Sequence, residues 1–169
     1  MARADTGQMA IHPSPEYHNT TNGIHCGIRK NQAKKDLALI FSSVPASAAG
    51  AADLTTARTV AKSVICSSLL KAAMFGADAN WGRVLCAIGY SGAQVDVDRV
   101  DVAFHSAAGT VAVCKNGAGL DFSEELAKKV LLEKEIEILV ELNSGTASSA
   151  AWGCDLTYDY VKNNGDYRT

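Results

Sequence analysis

Residues 100–114 read VDVAFHSAAGTVAVC, and this stretch decides the fold class. From Val100 to Phe104, apolar side chains alternate with small or polar ones, which is the period of a strand with one buried face. The letters SAAG then predict a turn, and the strand pattern returns at residues 110–114. The stretch therefore predicts two consecutive strands, and NGAG at residues 116–119 predicts a second turn after them.

Helical periodicity precedes these strands. Between residues 56 and 75, apolar or small side chains recur three and four positions apart, as on one face of a helix. Thr55 or Thr56 is expected to cap this helix, and Gly76 is expected to end it. A second, shorter helix is predicted over residues 81–89.

The pattern after the strand pair adds a helix and two more strands. Ser123 followed by two glutamates predicts a helix over residues 123–132. Alternation predicts a half-buried strand over 136–142, SGTASS at 144–149 predicts a loop, and 152–160 predicts a closing strand. The whole order predicts an α+β fold, with a mixed or antiparallel sheet and the helices packed on one face.

The first 54 residues lack this regularity. Prolines and polar residues near the start predict loops and turns, and a weak helix is predicted over residues 31–41. The small residues SSVPASAAGAAD, at 42–53, are interpreted as a linker. The chain is therefore expected to divide into an irregular segment, residues 1–54, and a folded domain, residues 55–169.

Composition narrows the class of protein. The chain has 169 residues and a formal net charge of -2, without a basic block, so nothing favours binding to nucleic acid or to an anionic membrane. No apolar run approaches the roughly 20 residues of a membrane span, and no secretory signal is recognisable at the start. These features favour a soluble protein of the cytoplasm, or of an organelle in a eukaryote.

Cysteine usage argues against a metal or disulfide framework. The cysteines occur singly and are odd in number, which fits neither a disulfide set nor a zinc site; they are Cys26, Cys66, Cys86, Cys114 and Cys154. No cofactor and no metal is therefore expected. No Ser-His-Asp order, phosphate-binding glycine motif or catalytic paired-carboxylate spacing emerges from the sequence, so no catalytic residue is assigned.

Three stretches are candidates for a functional site: FGADANWGR at 75–83, NSGTASSAAWGCD at 143–155, and NNGDYRT at 163–169. In the first, Asp78 and Asn80 are read as helix caps. Alternatively, this loop lines a cleft and Arg83 reaches a carboxylate. In the second stretch, Gly145, Ser148 and Ser149 are read as a flexible hairpin, and a functional loop is the alternative.

Two long strings carry a resemblance to a known family. Residues 61–92, AKSVICSSLLKAAMFGADANWGRVLCAIGYSG, and residues 151–169, AWGCDLTYDYVKNNGDYRT, resemble the carboxyl-terminal part of the ornithine acetyltransferase family, also called glutamate N-acetyltransferase. The resemblance covers roughly residues 56–169. It implies that this chain corresponds to the carboxyl-terminal portion of the second, or beta, chain of such an enzyme.

The resemblance implies a specific activity. Members of the family transfer an acetyl group from N-acetylornithine to glutamate in arginine biosynthesis, and some also use acetyl-CoA. The precursor cleaves itself before a threonine, which becomes the nucleophile and carries the acetyl group in a ping-pong cycle. The resemblance further implies an amino-terminal, or alpha, chain as partner, in a heterotetramer of two alpha and two beta chains.

The ending NGDYRT is where the resemblance implies substrate contact. An asparagine and the last threonine of the family's ending bind the amino-acid substrate, and they correspond to Asn164 and Thr169. An amide can donate to the carboxylate of an amino acid and accept from its ammonium group, and a hydroxyl can do either. We therefore expect Asn164 and Thr169 to bind N-acetylornithine and glutamate.

The front of the chain departs from the family. A self-cleavage segment like KGxGM followed by MATML does not occur, and a glutamate of a motif like GEGATK is missing near Asp36, where residues 31–41 read NQAKKDLALIF. The nucleophile therefore has no position in this sequence, and the chain alone is expected to be inactive. The alternative is a noncatalytic truncated remnant or association module. A relative of self-processing aminopeptidases fits the ending less well.

Overall fold

The computed structural model describes residues 43–165, which form one layer of strands and one layer of helices. The strands are β1 (Ser43–Ala51), β2 (Asp101–Ser106), β3 (Gly109–Lys115), β4 (Ala118–Gly119), β5 (Glu137–Glu141) and β6 (Ala147–Cys154). The helices are α1 (Leu54–Cys66), α2 (Ser68–Phe75), α3 (Trp81–Gly89), α4 (Glu124–Leu131) and α5 (Tyr158–Gly165), with a 3-10 turn at Val97–Arg99.

The six strands form a single mixed sheet in the order β4-β3-β2-β5-β1-β6. β1 and β5 are parallel, and the other neighbouring pairs are antiparallel. The predicted strands at 100–104, 110–114 and 136–142 are confirmed as β2, β3 and β5. The α+β class and the mixed sheet are confirmed as well.

All helices that pack on the sheet cover the same face. One row of paired residues crosses five strands and is buried throughout: Val111, Phe104, Ile138, Ala46 and Ala151. Side chains of α1 and α4 join these residues in one apolar core. The neighbouring positions on the opposite face include exposed His105 and Trp152, so the helices lie on one side of the sheet, as predicted.

The interpretation of residues 42–53 as a linker is wrong. β1 lies inside the sheet, where Ala46 pairs with Ile138 of β5 and also with Ala151 of β6. Its side chains are small because α1 packs closely on it, and Ala46 and Ala48 are fully buried. The sheet thus includes residues before the expected boundary at 54/55. The helix expected over residues 31–41 lies outside the described residues.

The single helix predicted over residues 56–75 is in fact two helices that meet at Ser67. The Ser67 backbone is extended, and its N–H donates to the carbonyl of Val64, which ends α1. Its hydroxyl accepts a hydrogen bond from the N–H of Leu70 at 3.4 Å and so caps α2. A serine that bonds locally to the backbone competes with helix continuation, and the apolar periodicity of the two helices concealed this break.

The expected threonine cap of the first helix is also wrong, because Asp53 takes that role. Its carboxylate accepts hydrogen bonds from the backbone N–H of Thr56 at 2.8 Å and from the Thr56 hydroxyl at 3.1 Å. The backbone hydrogen bond from Thr56 lowers the pKa of Asp53. Capping by a charged carboxylate satisfies a free N–H group at the helix start.

The closing strand predicted over residues 152–160 begins earlier and ends sooner. β6 already starts at Ala147, within the expected SGTASS loop, and it ends at Cys154. Tyr158 and Tyr160 belong instead to α5, whose first turn is held by a hydrogen bond from the N–H of Tyr160 to Thr157 Oγ1 at 3.1 Å. The alternation of apolar and polar residues therefore continues past the end of β6 and does not mark a strand at Tyr158 and Tyr160.

A carboxylate at the start of β2 joins three segments that are distant in sequence. Asp101 Oδ1 accepts from the backbone N–H of Asn116 at 2.8 Å, in the turn after β3. Asp101 Oδ2 accepts from Asn143 Nδ2 at 3.3 Å, after β5, and the same nitrogen donates to the carbonyl of Arg99 at 2.7 Å. Since Asp101 is buried, these bonds fix one end of the sheet.

Replacing Asp101 with alanine should therefore lower the free energy of unfolding by about 1–3 kcal/mol, because it leaves polar groups without their partners. Asp121→Ala, which changes an exposed carboxylate, should shift it by no more than about 0.5 kcal/mol. Urea denaturation of both variants measures the difference. Equal stability of the two variants would show that the two hydrogen bonds accepted by Asp101 contribute nothing.

Candidate functional site

The candidate stretch at residues 75–83 begins where α2 meets α5. The ring of Phe75, at the end of α2, makes an edge-to-face contact with the ring of Tyr158, at the start of α5, with centroids 5.3 Å apart. The backbone N–H of Leu156 donates to the carbonyl of Lys71 at 3.3 Å. The loop after α2 and the helix that carries Asn164 are thus held together, and we call this region the α2–α5 corner (residues 68–83 and 155–165).

Within the corner, the stretch FGADANWGR forms a self-bonded loop and the start of α3. Asn80 Oδ1 accepts from the backbone N–H of Arg83 at 3.1 Å, so the capping interpretation is confirmed for Asn80. Asn80 Nδ2 donates to Asp78 Oδ2 at 3.0 Å, so Asp78 supports the capping residue and does not itself cap α3. Ala77 has a φ of 51°, which turns the chain sharply between the helices.

Arg83 ties α3 to α2. Its Nη1 donates to the backbone carbonyl of Leu69 at 2.7 Å, and Leu69 stands in the first turn of α2. The alternative interpretation expected Arg83 to reach a carboxylate, but its partner in this contact is a backbone carbonyl. The guanidinium is half-buried, and the bond it makes positions two helices at the same corner.

The candidate stretch at residues 143–155 runs from the opposite end of the sheet to this corner. At its beginning, Ser144 donates its backbone N–H to the carbonyl of Gly50 at 2.7 Å. At its end, Cys154 lies beside Leu70 and Lys71 of α2, and Asp155 is buried. The interpretation as a flexible hairpin is wrong for most of this stretch, because residues 147–154 form β6.

Of the two expected substrate residues, one lies among the described residues. Asn164 lies in α5, in its last turn. Thr169 lies outside the described residues. Sequence reasoning could not foresee that α5 is a helix, nor that it starts against Phe75, because that contact joins residues more than eighty positions apart.

A groove lies on the helix-free face of the sheet, and no sequence pattern predicted it. An open groove of about 590 Å³ is lined by residues from four strands and from the segment before β5, including Pro45, His105, Glu137 and Trp152. His105 Nδ1 lies 2.7 Å from Thr110 Oγ1. At its rim, the side chains of Glu133, Lys134 and Glu135 are exposed. The groove therefore offers a solvated surface with charges of both signs.

The buried cysteine Cys114 is a poor candidate for a nucleophile. Burial raises the pKa of the Cys114 thiol, which disfavours the thiolate that a nucleophile requires. Among residues 43–165, no group of three or more histidine, cysteine or acidic side chains is arranged to hold a metal ion. Over the same residues, no helix has the length and apolar character needed to cross a bilayer.

Comparison with known proteins identifies the family. The ArgJ family profile matches residues 46–169. The arginine biosynthesis bifunctional protein ArgJ of Caldanaerobacter subterraneus subsp. tengcongensis is 58% identical over 113 residues, which are 67% of this chain and 28% of that protein. The glutamate N-acetyltransferase of Methanopyrus kandleri is 48% identical over 120 residues, 71% of this chain and 31% of that protein.

The fold is matched by a solved structure as well. The crystal structure of the arginine biosynthesis bifunctional protein argJ from Bacillus halodurans superimposes with a TM-score of 0.71 at 40% identity, over 79% of this chain and 61% of that chain. The present chain spans less than a third of the length of the curated relatives. The profile nevertheless covers most of the chain, so this protein belongs to the ArgJ family.

Proposed function

We propose that this chain is the carboxyl-terminal part of an acetyltransferase that moves an acetyl group from N-acetylornithine to glutamate in arginine biosynthesis. The observation that carries the proposal is the family match over residues 46–169, with a relative named glutamate N-acetyltransferase at 48% identity. Acetyl-CoA is a second acetyl donor to be tested in the same assay. The proposed location is the cytoplasm, or an organelle in a eukaryote.

The proposed reaction proceeds in two steps through an acetyl-threonine. A threonine hydroxyl attacks the amide carbonyl of N-acetylornithine, an ester forms on the threonine oxygen, and ornithine leaves with the proton on its amine. The amine of glutamate then attacks the ester, and N-acetylglutamate leaves as the threonine hydroxyl is restored. Dividing one acyl transfer into two steps is the advantage of a covalent intermediate.

The nucleophile of this reaction is proposed to lie on the family sequence that this chain lacks. The proposed partner is an amino-terminal, or alpha, chain, with two copies of each chain in the particle. One observation supports a two-chain assembly: the aligned region is 61% of the solved chain but only about 30% of the curated relatives, so the solved chain is much shorter than those relatives.

Asn164 and Thr169 are proposed to bind the α-ammonium and α-carboxylate groups that ornithine and glutamate share. The amide of Asn164 has both donors and an acceptor, and the hydroxyl of Thr169 can donate or accept. The support from the structure is the anchoring of α5, which Tyr158 and Leu156 hold against α2. A helix fixed at its first turn can present a side chain in its last turn at a defined position.

A chimeric enzyme tests the proposal. In the Caldanaerobacter relative, the matched carboxyl-terminal stretch is replaced by residues 46–169 of this chain, and N-acetylglutamate formation from N-acetylornithine and glutamate is measured. We expect turnover comparable to the parent enzyme. A folded chimera without acetyl transfer would reject the proposal and favour a noncatalytic remnant.

In an active chimera, Asn164→Ala should lower kcat/KM by roughly 10- to 150-fold, which corresponds to the 1.5–3 kcal/mol of a hydrogen bond to a charged group. Deleting Thr169 should have an effect of similar size. Asn163→Ala is the matched control, because it removes an identical amide at the neighbouring position. Equal kinetics of the Asn164 and Asn163 variants would remove Asn164 from the site.

A further inference from the structure

Thr157 precedes α5 and is a polar residue inside the fold, with only 6% of its surface exposed. Its hydroxyl accepts a hydrogen bond from the backbone N–H of Tyr160 at 3.1 Å, and its carbonyl accepts one from the N–H of Val161 at 3.2 Å. The carbonyl thus accepts the first bond of the helix, and the hydroxyl supplies a partner for an N–H group that has none within the helix. Thr157 therefore caps α5 from a buried position.

The segment before α5 is fixed to the rest of the fold, so the cap has a defined place. The backbone N–H of Leu156 donates to the carbonyl of Lys71 in α2 at 3.3 Å. Near the end of β6, Gly153 packs against α1, since a Cβ atom at this position would lie 3.2 Å from the Cβ of Ile65. Asp155, between these two contacts, is also buried. Helix α5 thus begins at a point that β6 and α2 both hold.

Beyond this point α5 lies on the surface. The side chains of residues 158–162 are all exposed, and Val161 is 55% exposed. Asn164 follows Thr157 by seven residues, which is about 10 Å along a helix axis. A tilt of about 10° at the cap would therefore move the last turn by about 2 Å. The direction that Thr157 gives to the first turn decides where the last turn lies.

We propose that Thr157 is a positioning residue of the amino-acid substrate site: by capping α5 inside the fold, it sets the position of the turn that carries Asn164. This inference rests on the proposed function, in which Asn164 binds the α-ammonium and α-carboxylate groups of the substrates. A misplacement of about 1 Å is enough to impair catalysis strongly. Because ornithine and glutamate share the groups that Asn164 binds, a displaced Asn164 weakens both half-reactions by a similar factor.

Kinetics of the active chimera test this role. Thr157→Val removes the capping hydroxyl and keeps the size of the side chain. We expect it to lower kcat/KM for N-acetylornithine and for glutamate alike, by roughly 5- to 30-fold. Thr157→Ser keeps the hydroxyl and should recover most of this loss. If Thr157 acts through Asn164, adding Thr157→Val to the Asn164→Ala variant should lower kcat/KM by less than about 2-fold further.

Ser123→Ala is the matched control, because Ser123 caps α4 by accepting a hydrogen bond from the N–H of Leu126 at 3.2 Å. Loss of either cap destabilises one helix by a similar amount, so a purely structural role of Thr157 predicts the same kinetics for both variants. Hydrogen exchange of this chain gives a second measurement that needs no activity. Thr157→Val should speed the exchange of the α5 amides, and Ser123→Ala should speed that of the α4 amides.

The positioning role is wrong if the α5 amides of Thr157→Val exchange as in the wild type, if this variant has the kinetics of Ser123→Ala, or if its effect is undiminished in the Asn164→Ala background. In these cases the proposed function is unaffected, provided that the chimera transfers acetyl and Asn164→Ala impairs it. A folded but inactive chimera, or full activity of Asn164→Ala, rejects the proposed substrate site and the positioning role together.

Discussion

The isolated chain should form no N-acetylglutamate from N-acetylornithine and glutamate at an enzyme-like rate. Loss of a central nucleophile removes the covalent step, and when catalytic groups act as a unit such a loss costs on the order of 10⁶ in kcat. Among the described cysteines, Cys114 is not a suitable replacement, because its thiol is buried with a raised pKa. We therefore expect a rate at least about 10³-fold below that of the complete enzyme.

Adding the part of the Caldanaerobacter relative that precedes its matched stretch should restore acetyl transfer. The amounts of N-acetylglutamate formed by the chain, by the added part and by their mixture are compared under the same conditions. Activity only in the mixture would agree with a site shared between two polypeptides. Turnover by the purified chain alone would overturn this prediction and direct attention to Thr20 and Thr21, which lie outside the described residues.

The elements that the sequence predicted well are those with strong local periodicity. α3, α4 and the β2–β3 pair all combine clear apolar spacing with a capping or turn residue at the expected position. In each case the local preference and the tertiary environment favour the same conformation, which is when prediction from pattern succeeds.

β1 shows why other elements were missed. Its sequence SVPASAAGA contains few residues with a high preference for strands, and Pro45 and Gly50 are typical of turns. The strand forms because β5 and β6 pair with it on both sides and α1 packs on its small side chains. Those partners are distant in sequence, so no local pattern could reveal the strand.

The candidate site shows the same limitation. The sequence marked residues 75–83 as unusual, but it did not show what they pack against. The contact between Phe75 and Tyr158 depends on the helical state of α5. If residues 152–160 formed one strand, as predicted, Tyr158 would lie in the sheet and away from Phe75. The wrong secondary structure therefore concealed the α2–α5 corner.

The turn between β3 and β4 should be highly sensitive to substitution at Gly117. Its two central residues, Asn116 and Gly117, have φ values of 49° and 72°, as expected for a tight hairpin turn of the type that favours Asn-Gly. A Cβ atom at position 117 would lie 2.4 Å from the carbonyl oxygen of Val97 and 3.1 Å from the Cα of Asp98. Gly117→Val therefore combines backbone strain with a collision against a neighbouring segment.

Neither segment can move away without losing hydrogen bonds. The carbonyl of Val97 accepts from the N–H of Val100 at 3.2 Å, and the N–H of Gly117 donates to the carbonyl of Val100 at 2.9 Å. We expect Gly117→Val to lower the free energy of unfolding by at least about 3 kcal/mol, from roughly 1–3 kcal/mol of strain and a similar cost of overpacking. Thermal unfolding should shift downward by roughly 10 °C.

Gly92→Val separates the two contributions to this loss. Gly92 also has a positive φ, of 81°, but a Cβ at that position would meet no heavy atom within 4 Å. Its substitution should therefore cost only the strain, about 1–3 kcal/mol. If urea denaturation gives the two variants the same stability, the collision at Gly117 is relieved by a movement of the turn. A larger loss for Gly117→Val means that the Val97–Arg99 turn and the β3–β4 turn form one rigid unit, held by the bonds to Val100 and Asp101.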